Sequence, residues 1–508
     1  MRTPRPRRTV VRWILRAGLA AVLLAWMATV WWHTSKPMPD GLRVDGAAWP
    51  IPTEQLRFLA DVTAADAFGQ PVISQQIFDA TLALIAGSRD LLVLDYFLFN
   101  DQGGPRDELD YGRSLRPLAS ELRAALLARH RADPRMPILL IVDPINSYYG
   151  SRLAPELVEL RDAGIGVVTV NLDPLRDSNA LYSAVWRRLF KWWLQPAVNG
   201  SLPNWLDSGG PELSLGAVMR LLNFKASHRK LVITGDGAGS LLGIVSSSNP
   251  HDASSAHSNV GLYLAGPALA PLLASELAVA RLAGWRGDIA VPPSPEARDN
   301  GDAGAPGQSA SRVSVVTEGA ISDRLLERLA AAKAGDQVDL AMFYLTDRQV
   351  IRGMLDAARR GAQLRVILDP NKDAFGFEKS GLPNRQVASE LLAASDGAIK
   401  VRWYRTHGEQ FHTKIATICG AERCWITLGS ANFTRRNLQD FNLEANVNVD
   451  TPRSGPLAGE VNQWFDTLWG NRAASGIEFT ADLDVYADPS QGRYWLYRFM
   501  EASGMSTF

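Results

Sequence analysis

Two pairs of matching segments divide the chain into similar halves, and this internal repeat is the feature that most restricts its fold. Residues 88–101 (SRDLLVLDYFLFND) resemble residues 334–347 (AGDQVDLAMFYLTD), and residues 137–150 (PILLIVDPINSYYG) resemble residues 363–376 (QLRVILDPNKDAFG). Each segment contains a short apolar run that is typical of a buried strand, and a helical pattern lies between the two strands of each half. Strands that alternate with helices predict an α/β layered fold in both halves.

A third pair of matching segments carries polar residues at nearly fixed spacings. His228 and Lys230 in the first half match His412 and Lys414 in the second half. Each His-x-Lys is followed by a Ser-x-Asn and then by one more asparagine. These downstream residues are Ser247, Asn249 and Asn259 in the first half, and Ser430, Asn432 and Asn442 in the second half.

This combination of side chains suits chemistry on a phosphate ester. A histidine and a lysine two residues apart on a strand lie on the same face of the sheet. Imidazole can attack as a nucleophile or donate a proton near neutral pH, and an ammonium group is a fixed charge for an anionic oxygen. Serine hydroxyls and asparagine amides add hydrogen-bond donors. Two such sets facing each other would hold one phosphodiester between two histidines, and this arrangement requires neither a metal nor a cofactor.

With these residues the sequence resembles the phospholipase D superfamily, whose pattern is H-x-K-x4-D followed by G-S-x-N in each half. The resemblance extends over about residues 55–470. It implies two α/β/α halves related by a pseudo-two-fold axis, with one active site between them and a covalent phosphohistidine intermediate. It also implies that His228 is the nucleophile, that His412 is the general acid, and that the lysines and asparagines bind the phosphoryl oxygens.

The chain departs from the family pattern at the aspartate that should follow each lysine. In the first half this position is Gly235, and Asp236 follows directly, which indicates a one-residue insertion. In the second half the position is Cys419, so the carboxylate is missing there.

Members of the family also carry an acid, downstream of G-S-x-N, that orients a histidine through its other ring nitrogen. Glu444 fits this position in the second half, with Asp440 as an alternative, and we expect it to pair with His412 and raise the pKa of that histidine. The first half has Gly261 at the matching position, so the sequence predicts no partner for His228. The predicted catalytic residues are therefore His228, Lys230, His412, Lys414 and Glu444, and the predicted phosphate-binding residues are Ser247, Asn249, Ser430 and Asn432.

Several residues near these motifs have more ordinary interpretations. Asp143 and Asp369 precede prolines at strand ends, where turn formation is more usual than catalysis. Core packing is the favoured interpretation of four aromatic side chains, with a substrate pocket as the alternative. The aromatic residues are Tyr96, Phe97, Phe343 and Tyr344. Two histidines, His251 and His257, are interpreted as polar loop residues or as contacts of the substrate. A third, His407, could lie at the mouth of the site.

The amino-terminal region combines positive charge with an apolar run. The first 16 residues contain six arginines and no acid, and residues 17–32 (AGLAAVLLAWMATVWW) carry no charge. This pattern predicts an uncleaved transmembrane helix, with a cleaved signal peptide or a buried core helix as alternatives. The positive-inside rule then leaves the tail in the cytoplasm and the catalytic body outside it, on the periplasmic side of the inner membrane in a Gram-negative cell. Without those arginines acidic side chains outnumber basic ones, so no bulk binding of nucleic acid is expected.

Changes in composition set the predicted domain boundaries. Residues 1–40 form the basic tail and the anchor, and residues 41–285 form the first half. Residues 286–312 are rich in Pro, Gly, Ser and Asp and are typical of a linker, and residues 313–508 form the second half.

The first half also contains an insertion, residues 181–198 (LYSAVWRRLFKWWLQPAV), with aromatic and basic side chains at helical spacing. It is either a helix packed on the core with solvated cations or an interfacial helix whose aromatic side rests in lipid. The two cysteines of the chain, Cys419 and Cys424, flank a short turn. They could form a cross-strand disulfide in an oxidising compartment, or they could be two buried thiols.

Together these features predict a membrane-anchored enzyme that cleaves or transfers the phosphodiester of a phospholipid, similar to a phospholipase D or a cardiolipin synthase. The expected partners are a phospholipid substrate and a membrane. A membrane-tethered nuclease or other phosphodiesterase, and a catalytically inactive binding module, are the alternatives. The anchor, the tryptophan-rich insertion and the acidic body favour the lipid enzyme.

Overall fold

The computed structural model describes residues 6–508 except 102–114, 208, 293–309, 375–376, 474–475 and 507. A long helix, α1 (Pro6–Ser35), comes before two α/β units that correspond to the repeated halves. The greater part of the predicted linker, 286–312, lies outside the described residues.

Most elements of the first half belong to one eight-stranded sheet and the helices that cover it. The strands are β1 (Trp49–Ile51), which joins the sheet of the second half, and β2 (Leu56–Ala65), β3 (Pro71–Ser74), β4 (Leu92–Tyr96), β5 (Ile138–Val142), β6 (Gly166–Thr169), β7 (Lys230–Gly235), β8 (Leu241–Ser246) and β9 (Asn259–Ala265). The helices are α2 (Ile77–Gly87), α3 (Leu118–Ala132), α4 (Pro155–Asp162), α5 (Ala180–Val185), α6 (Leu215–Leu221) and α7 (Ala270–Leu282).

The second half has a nine-stranded sheet that includes β1, and a small separate hairpin. The strands are β10 (Ser311–Thr317), β11 (Gln337–Met342), β12 (Gln363–Leu368), β13 (Asp373–Ala374), β14 (Phe377–Glu378), β15 (Ile399–Tyr404), β16 (Lys414–Cys419), β17 (Arg423–Gly429), β18 (Ala445–Pro452) and β19 (Thr480–Asp482). The helices are α8 (Gly319–Ala331), α9 (Arg348–Arg359), α10 (Asn384–Ala394), α11 (Arg435–Leu438), α12 (Pro456–Gly470) and α13 (Gln491–Ser503).

Seven strands occur in the same order in the two sheets, which confirms the predicted repeat. The first sheet contains the order β2-β9-β8-β7-β4-β5-β6, and the second contains β10-β18-β17-β16-β11-β12-β15. In each sheet the last three of these strands are parallel and the other neighbours are antiparallel. Every residue of β4, β5 and β7 is buried, as expected for central strands covered on both faces. The predicted α/β/α architecture is therefore present in both halves.

The two sheets pack against each other through a shared apolar core. Side chains of β7, β8 and β9 meet side chains of β16, β17 and β18 in one continuous cluster. Its members include Leu231, Val245 and Leu262 from the first half, and Ile415, Leu428 and Val447 from the second. This packing fixes the ends of β7 and β16 relative to each other, and these ends carry the predicted histidines. The segment with β1, which the sequence assigned to the first half, pairs with β10 of the second.

Helix α1 is exposed along most of its length. The segment Val10–Ser35 is the helix of the described chain that is long and apolar enough to cross a membrane, and almost none of its apolar surface is buried inside the protein. A core helix would bury that surface, so the structure excludes the core-helix alternative.

The insertion is packed on the protein body along one side, where Ser183, Ala184 and Trp186 are buried. It consists of α5 and one turn of π-helix, Trp186–Phe190, and its side chains Leu189, Trp192 and Trp193 are exposed. Its cations are paired instead: Arg187 binds Asp177 at 2.7 Å, and Lys191 binds Asp173 at 2.9 Å. The side with Leu189, Trp192 and Trp193 thus faces outward, and two of the three cations are neutralised by acidic side chains and are not solvated as the core-packed interpretation assumed.

Candidate active site

The two predicted histidines lie just before β7 and β16, and each is held by the backbone of the other half. The N–H of His228 donates to the carbonyl oxygen of Leu443 at 2.8 Å, and the N–H of His412 donates to that of Ser258 at 2.9 Å. These two contacts are related by the pseudo-two-fold axis. They bring both imidazoles to the interface between the halves, as the repeated motif predicts.

Both histidines line one cavity of about 440 Å³, and Asn432 lines it too. Most of the remaining wall is aromatic or apolar. Phe97, Phe343 and Tyr344 belong to this wall, so the pocket interpretation holds for them, whereas Tyr96 is buried in the core against Phe78. Other aromatic side chains of the wall are Tyr148, Tyr149, Trp205 and Phe224.

The two lysines occupy equivalent buried positions behind the histidines. The ammonium group of Lys230 donates to the carbonyl oxygen of His228 at 2.6 Å, and that of Lys414 donates to the carbonyl oxygen of His412 at 2.8 Å. Burial lowers the pKa of Lys230 to about 7. Burial, together with the charge of Lys230, holds the pKa of Lys414 well below its usual value. An anionic ligand beside these groups would stabilise their charged forms.

Glu444 contacts His228, not His412, and this corrects the predicted pairing. The Nδ1–H of His228 donates to the Glu444 carboxylate, with Nδ1 2.9 Å from Oε1. Glu444 is fully buried and is held in turn by the side chains of Ser430 and Asn437. The alternative acid, Asp440, accepts from the backbone N–H of Gly319 at 2.8 Å and is not bonded to either histidine.

His412 has an amide partner instead of a carboxylate. Its Nδ1 lies 3.1 Å from Oδ1 of Asn259. The amide nitrogen of Asn259 donates to the carbonyl oxygen of His257, so Oδ1 is the acceptor and Nδ1 of His412 is the donor. In both histidines Nδ1 is therefore occupied, and Nε2 is left for chemistry.

The pairing of β-strands explains why sequence spacing failed here. Ser246 pairs with Gly261 across β8 and β9, and Gly429 pairs with Asn446 across β17 and β18. Asn259 is therefore the structural equivalent of Glu444, although the sequence repeat matched it with Asn442. The connection before β18 is two residues longer than the one before β9, and this length difference displaced the alignment.

The two motif serines hold the partners of the histidines. The hydroxyl of Ser247 donates to Oδ1 of Asn259 at 2.9 Å, and the hydroxyl of Ser430 donates to the carboxylate of Glu444. Both serines are fully buried. Each hydroxyl has a single proton, and it donates that proton in this contact. The structure therefore assigns Ser247 and Ser430 a positioning role and not the predicted phosphate-binding role.

The two motif asparagines remain candidates for binding phosphate. Asn249 accepts a hydrogen bond from the backbone N–H of Leu98 at 3.2 Å through Oδ1, which leaves its amide N–H groups as donors. Asn432 lines the cavity, and its Oδ1 has no hydrogen-bond partner among the described residues. Both side chains are nearly buried, as expected for groups that bind through a few oriented hydrogen bonds.

Asp143 and Asp369 form turns, as predicted, and they also position the histidine segments. Asp143 accepts from the N–H of Ser227 at 2.7 Å, and Asp369 accepts from the N–H of Phe411 at 2.7 Å. Each of these N–H groups belongs to the residue directly before a histidine. The sequence contained no signal for this second contact, because the partners are 84 and 42 residues apart.

The cavity has a positive environment in which neutral histidines are favoured. Burial lowers the pKa of His228 to about 4, although Glu444 opposes the shift. Burial and the charge of Lys414 hold the pKa of His412 well below its usual value. Among the described residues, Glu444 is the carboxylate bonded to either imidazole, so the two histidines are electrostatically different.

Comparison with known proteins agrees with this fold. A family model described as "Cardiolipin synthase, PLD-like domain" matches residues 325–469. The phosphatidylserine synthase of Haemophilus influenzae Rd KW20 has the same fold, with a TM-score of 0.55 at 9% identity over 91% of this chain and 96% of that chain. The second half of the chain thus contains a phospholipase D-like domain at residues 325–469, and the chain as a whole shares the fold of the phosphatidylserine synthase.

Two further solved structures align with the chain at lower TM-scores. The polyphosphate kinase of Porphyromonas gingivalis aligns with a TM-score of 0.43 at 12% identity, over 89% of this chain and 56% of that chain. The phospholipase D family member Nuc of Salmonella typhimurium aligns with a TM-score of 0.24 at 17% identity, over 31% of this chain and 95% of that chain. No curated protein sequence matches the chain.

The departures from the phospholipase D pattern lie at the far ends of β7 and β16. Asp236 is in the β7–β8 turn, where it accepts from the N–H of Ala238 at 2.8 Å and of Ser240 at 3.0 Å. Cys419 and Cys424 are joined by a disulfide, which selects the first of the two predicted alternatives. Both departures belong to hairpin ends and not to the cavity wall.

Three cations of the cavity wall, Lys225, Lys379 and Arg436, had no signal in the sequence motifs. Lys379 donates to the Tyr344 hydroxyl at 2.6 Å, and Arg436 is nearly buried and donates to the carbonyl oxygen of Gly504 at 3.1 Å. Of the loop histidines, His251 lines the cavity and the ring of His257 lies 5.8 Å from that of His412. The backbone N–H of His407 donates to the Glu409 carboxylate at 2.9 Å.

The role of Asn259 as the partner of His412 can be tested by replacing its amide nitrogen with an oxygen. In Asn259→Asp, a carboxylate would replace the amide that accepts from Nδ1 of His412. A negative charge at this position favours the imidazolium form, so the pKa of His412 should rise. The alkaline limb of the pH profile of kcat/KM should move to higher pH, by about one unit or more for a buried pair. An unmoved alkaline limb in a folded variant would contradict the assignment of His412 as the proton donor.

Proposed function

We propose that the chain is a membrane-anchored enzyme that cleaves or transfers the phosphodiester of a phospholipid through a phosphohistidine on Nε2 of His228. The observation that carries this proposal is the asymmetry of the site. One cavity contains two imidazoles, of which His228 is bonded to a carboxylate and His412 to an amide. A carboxylate on Nδ1 stabilises the positive charge that develops when Nε2 attacks phosphorus, which suits His228 to the role of nucleophile.

In the first step, Nε2 of His228 attacks the phosphorus atom and forms a P–N bond. The P–O bond to the leaving alcohol breaks, and the N–H of protonated His412 supplies the proton that this oxygen takes up. The negative charge of the bound phosphodiester raises the pKa of His412, so the donor is protonated when substrate is present. Lys230 and Lys414 compensate the charge of the phosphoryl oxygens, and the amides of Asn249 and Asn432 donate hydrogen bonds to them.

In the second step, neutral His412 takes the proton of an incoming hydroxyl group. The oxygen of that group attacks phosphorus, the P–N bond breaks, and the electron pair returns to Nε2 of His228. With water as the acceptor the reaction is hydrolysis, and with an alcohol it is transfer. The residues of the site are restored in either case, so the chemistry of this step depends on the acceptor that enters the cavity.

Three observations support a lipid substrate. The cavity wall is largely apolar and aromatic, which suits the glycerol backbone and the first carbons of acyl chains. Helix α1 is a candidate membrane span. The matching family model and the structural neighbour are described as a cardiolipin synthase and a phosphatidylserine synthase.

The disulfide between Cys419 and Cys424 supports a catalytic body outside the cytoplasm, as the positive-inside rule predicts.

The experiment that tests the proposal is product analysis with the purified full-length protein in mixed phospholipid micelles. We expect phosphatidic acid with water alone, or a new phosphatidyl ester when glycerol or phosphatidylglycerol is added, and we expect EDTA to leave turnover unchanged. The matched control is the double variant His228→Ala/His412→Ala, which should form neither product. Cleavage of a DNA oligonucleotide without lipid turnover would favour the nuclease alternative, and no turnover of either substrate would favour the inactive module.

A further inference from the structure

We infer that the outer face of α13 is a second membrane-contacting surface, next to the exposed side of the insertion. This inference rests on the anchoring part of the proposed function, because it requires that α1 spans a bilayer. It concerns the partner of a surface rather than the chemistry of the cavity. The occupant to which we assign the surface is the lipid bilayer itself.

The two faces of α13 differ sharply. Tyr497 is fully buried and Glu501 nearly so, and they fix the inner face of the helix to the second half. On the outer face Trp495, Leu496 and Phe499 are 64%, 48% and 62% exposed. Residues at these spacings are neighbours on one side of a helix. Three large apolar side chains, one of them tryptophan, therefore form a continuous exposed patch on a short helix, which is unusual for a surface that faces only water.

The carboxyl end of α13 lies against the start of the insertion. Gly504 approaches the backbone of Ser178 so closely that a side chain on Gly504 would overlap its carbonyl oxygen. Arg436 fixes the same segment by donating to the carbonyl oxygens of Gly504 and Ser506. Because α5 begins at Ala180, the end of α13 and the insertion are neighbours in the structure.

The insertion in turn packs on α1. The indole N–H of Trp26 donates to the carbonyl oxygen of Leu181 at 3.2 Å, and Arg188 donates to the hydroxyl of Thr29 at 2.6 Å. Both Trp26 and Thr29 belong to the carboxyl-terminal part of the apolar segment of α1. If α1 crosses a bilayer, these contacts place the insertion at the bilayer surface, where tryptophans are enriched. Its exposed residues Trp192 and Trp193 fit that level.

Residues next to both surfaces line the cavity. Trp205 and Phe224, which follow the insertion, form part of its wall, and Arg436, which binds the tail of α13, forms another part. A phospholipid with its acyl chains in the bilayer could then present its phosphodiester to the histidines without leaving the membrane completely. Contact of both apolar surfaces with lipid would hold the mouth of the cavity in this position.

Site-specific fluorescence in nanodiscs tests the inference. The two cysteines of the chain are bonded to each other, so one introduced cysteine can be labelled with an environment-sensitive probe such as NBD. In the full-length protein, the probe at Phe499→Cys should have blue-shifted emission and should be quenched by lipids that carry a bromine or nitroxide quencher. The matched control is Phe68→Cys, because Phe68 is 88% exposed in the first half, in the β2–β3 hairpin. Its probe should behave as in water.

A third label, at Leu19→Cys in α1, separates the inference from the proposed anchor. Lipid quenching at Leu19 with emission at Phe499 equal to that at Phe68 would overturn the inference and leave the anchor intact. Blue-shifted emission at Phe499 without lipid quenching would mean that a second copy of the chain covers the patch, and this also overturns it. No quenching at Leu19 would overturn the anchor and the inference together.

Discussion

His228→Ala should abolish formation of a covalent phosphoenzyme with every substrate, whereas His412→Ala should abolish it only with substrates whose leaving group needs a proton. Loss of a nucleophile costs about 10⁴-fold or more in rate, and loss of general acid–base catalysis costs about 10²–10⁴-fold. With a p-nitrophenyl phosphodiester, whose leaving group departs without protonation, His412→Ala should still transfer the phosphoryl group to His228. Since His412 also activates the acceptor, the phosphoenzyme should accumulate.

The measurement is a stopped-flow burst of nitrophenolate. His412→Ala should give a burst equal to the enzyme concentration followed by slow turnover, and His228→Ala should give none. The matched control is His407→Ala, because the backbone of His407 contacts Glu409 on the loop before His412. A burst in His228→Ala with none in His412→Ala would exchange the two roles and would contradict the assignment based on Glu444.

Glu444→Gln should reduce kcat by about 10²–10⁴-fold while the protein stays folded, because a glutamine amide cannot stabilise the charge on phosphorylated His228 as a carboxylate does. The pH dependence gives a second readout. The Glu444 carboxylate raises the pKa of His228 against the effect of burial, and that pKa is about 4. Its removal should lower this pKa further. The acidic limb of kcat/KM, which follows the free enzyme, should therefore move to lower pH.

Asp440→Asn is the control for Glu444→Gln. Asp440 binds the backbone of Gly319 and the guanidinium of Arg176 at 2.9 Å, so its loss should affect stability more than chemistry. We expect its pH profile to match that of the unaltered protein. If Asp440→Asn moved the acidic limb and Glu444→Gln did not, the partner of His228 would be misassigned.

The sequence was sufficient for the parts of the structure that depend on local patterns. Apolar strands alternating with helices predicted both sheets, and the repeated His-x-Lys predicted that His228 and His412 would meet. Strand periodicity and the spacing within one motif depend only on the local geometry of the chain, because side chains along a strand alternate between the two faces of the sheet. The same local information predicted the turns at Asp143 and Asp369.

The sequence was insufficient where a contact crosses between the halves. The pairing of Glu444 with His228 follows from the packing of the two sheets, and no spacing along the chain encodes it. A two-residue difference in loop length then hid the equivalence of Asn259 and Glu444. The serines were misjudged for a related reason, because a hydroxyl near a phosphate motif can serve the ligand or the residue behind it. Only three-dimensional contacts distinguish these roles.

The exchange of partners between the halves also bears on how such a site could arise. Two identical subunits related by an exact two-fold axis would have to give both histidines the same partner, and either histidine could then attack. Tandem duplication within one polypeptide removes this restriction, because each copy can mutate alone. Here one position holds Glu444 and its counterpart holds Asn259. Under the proposed mechanism, this pair of unlike residues would give the site a fixed direction, so that a substrate binds productively in only one of two orientations.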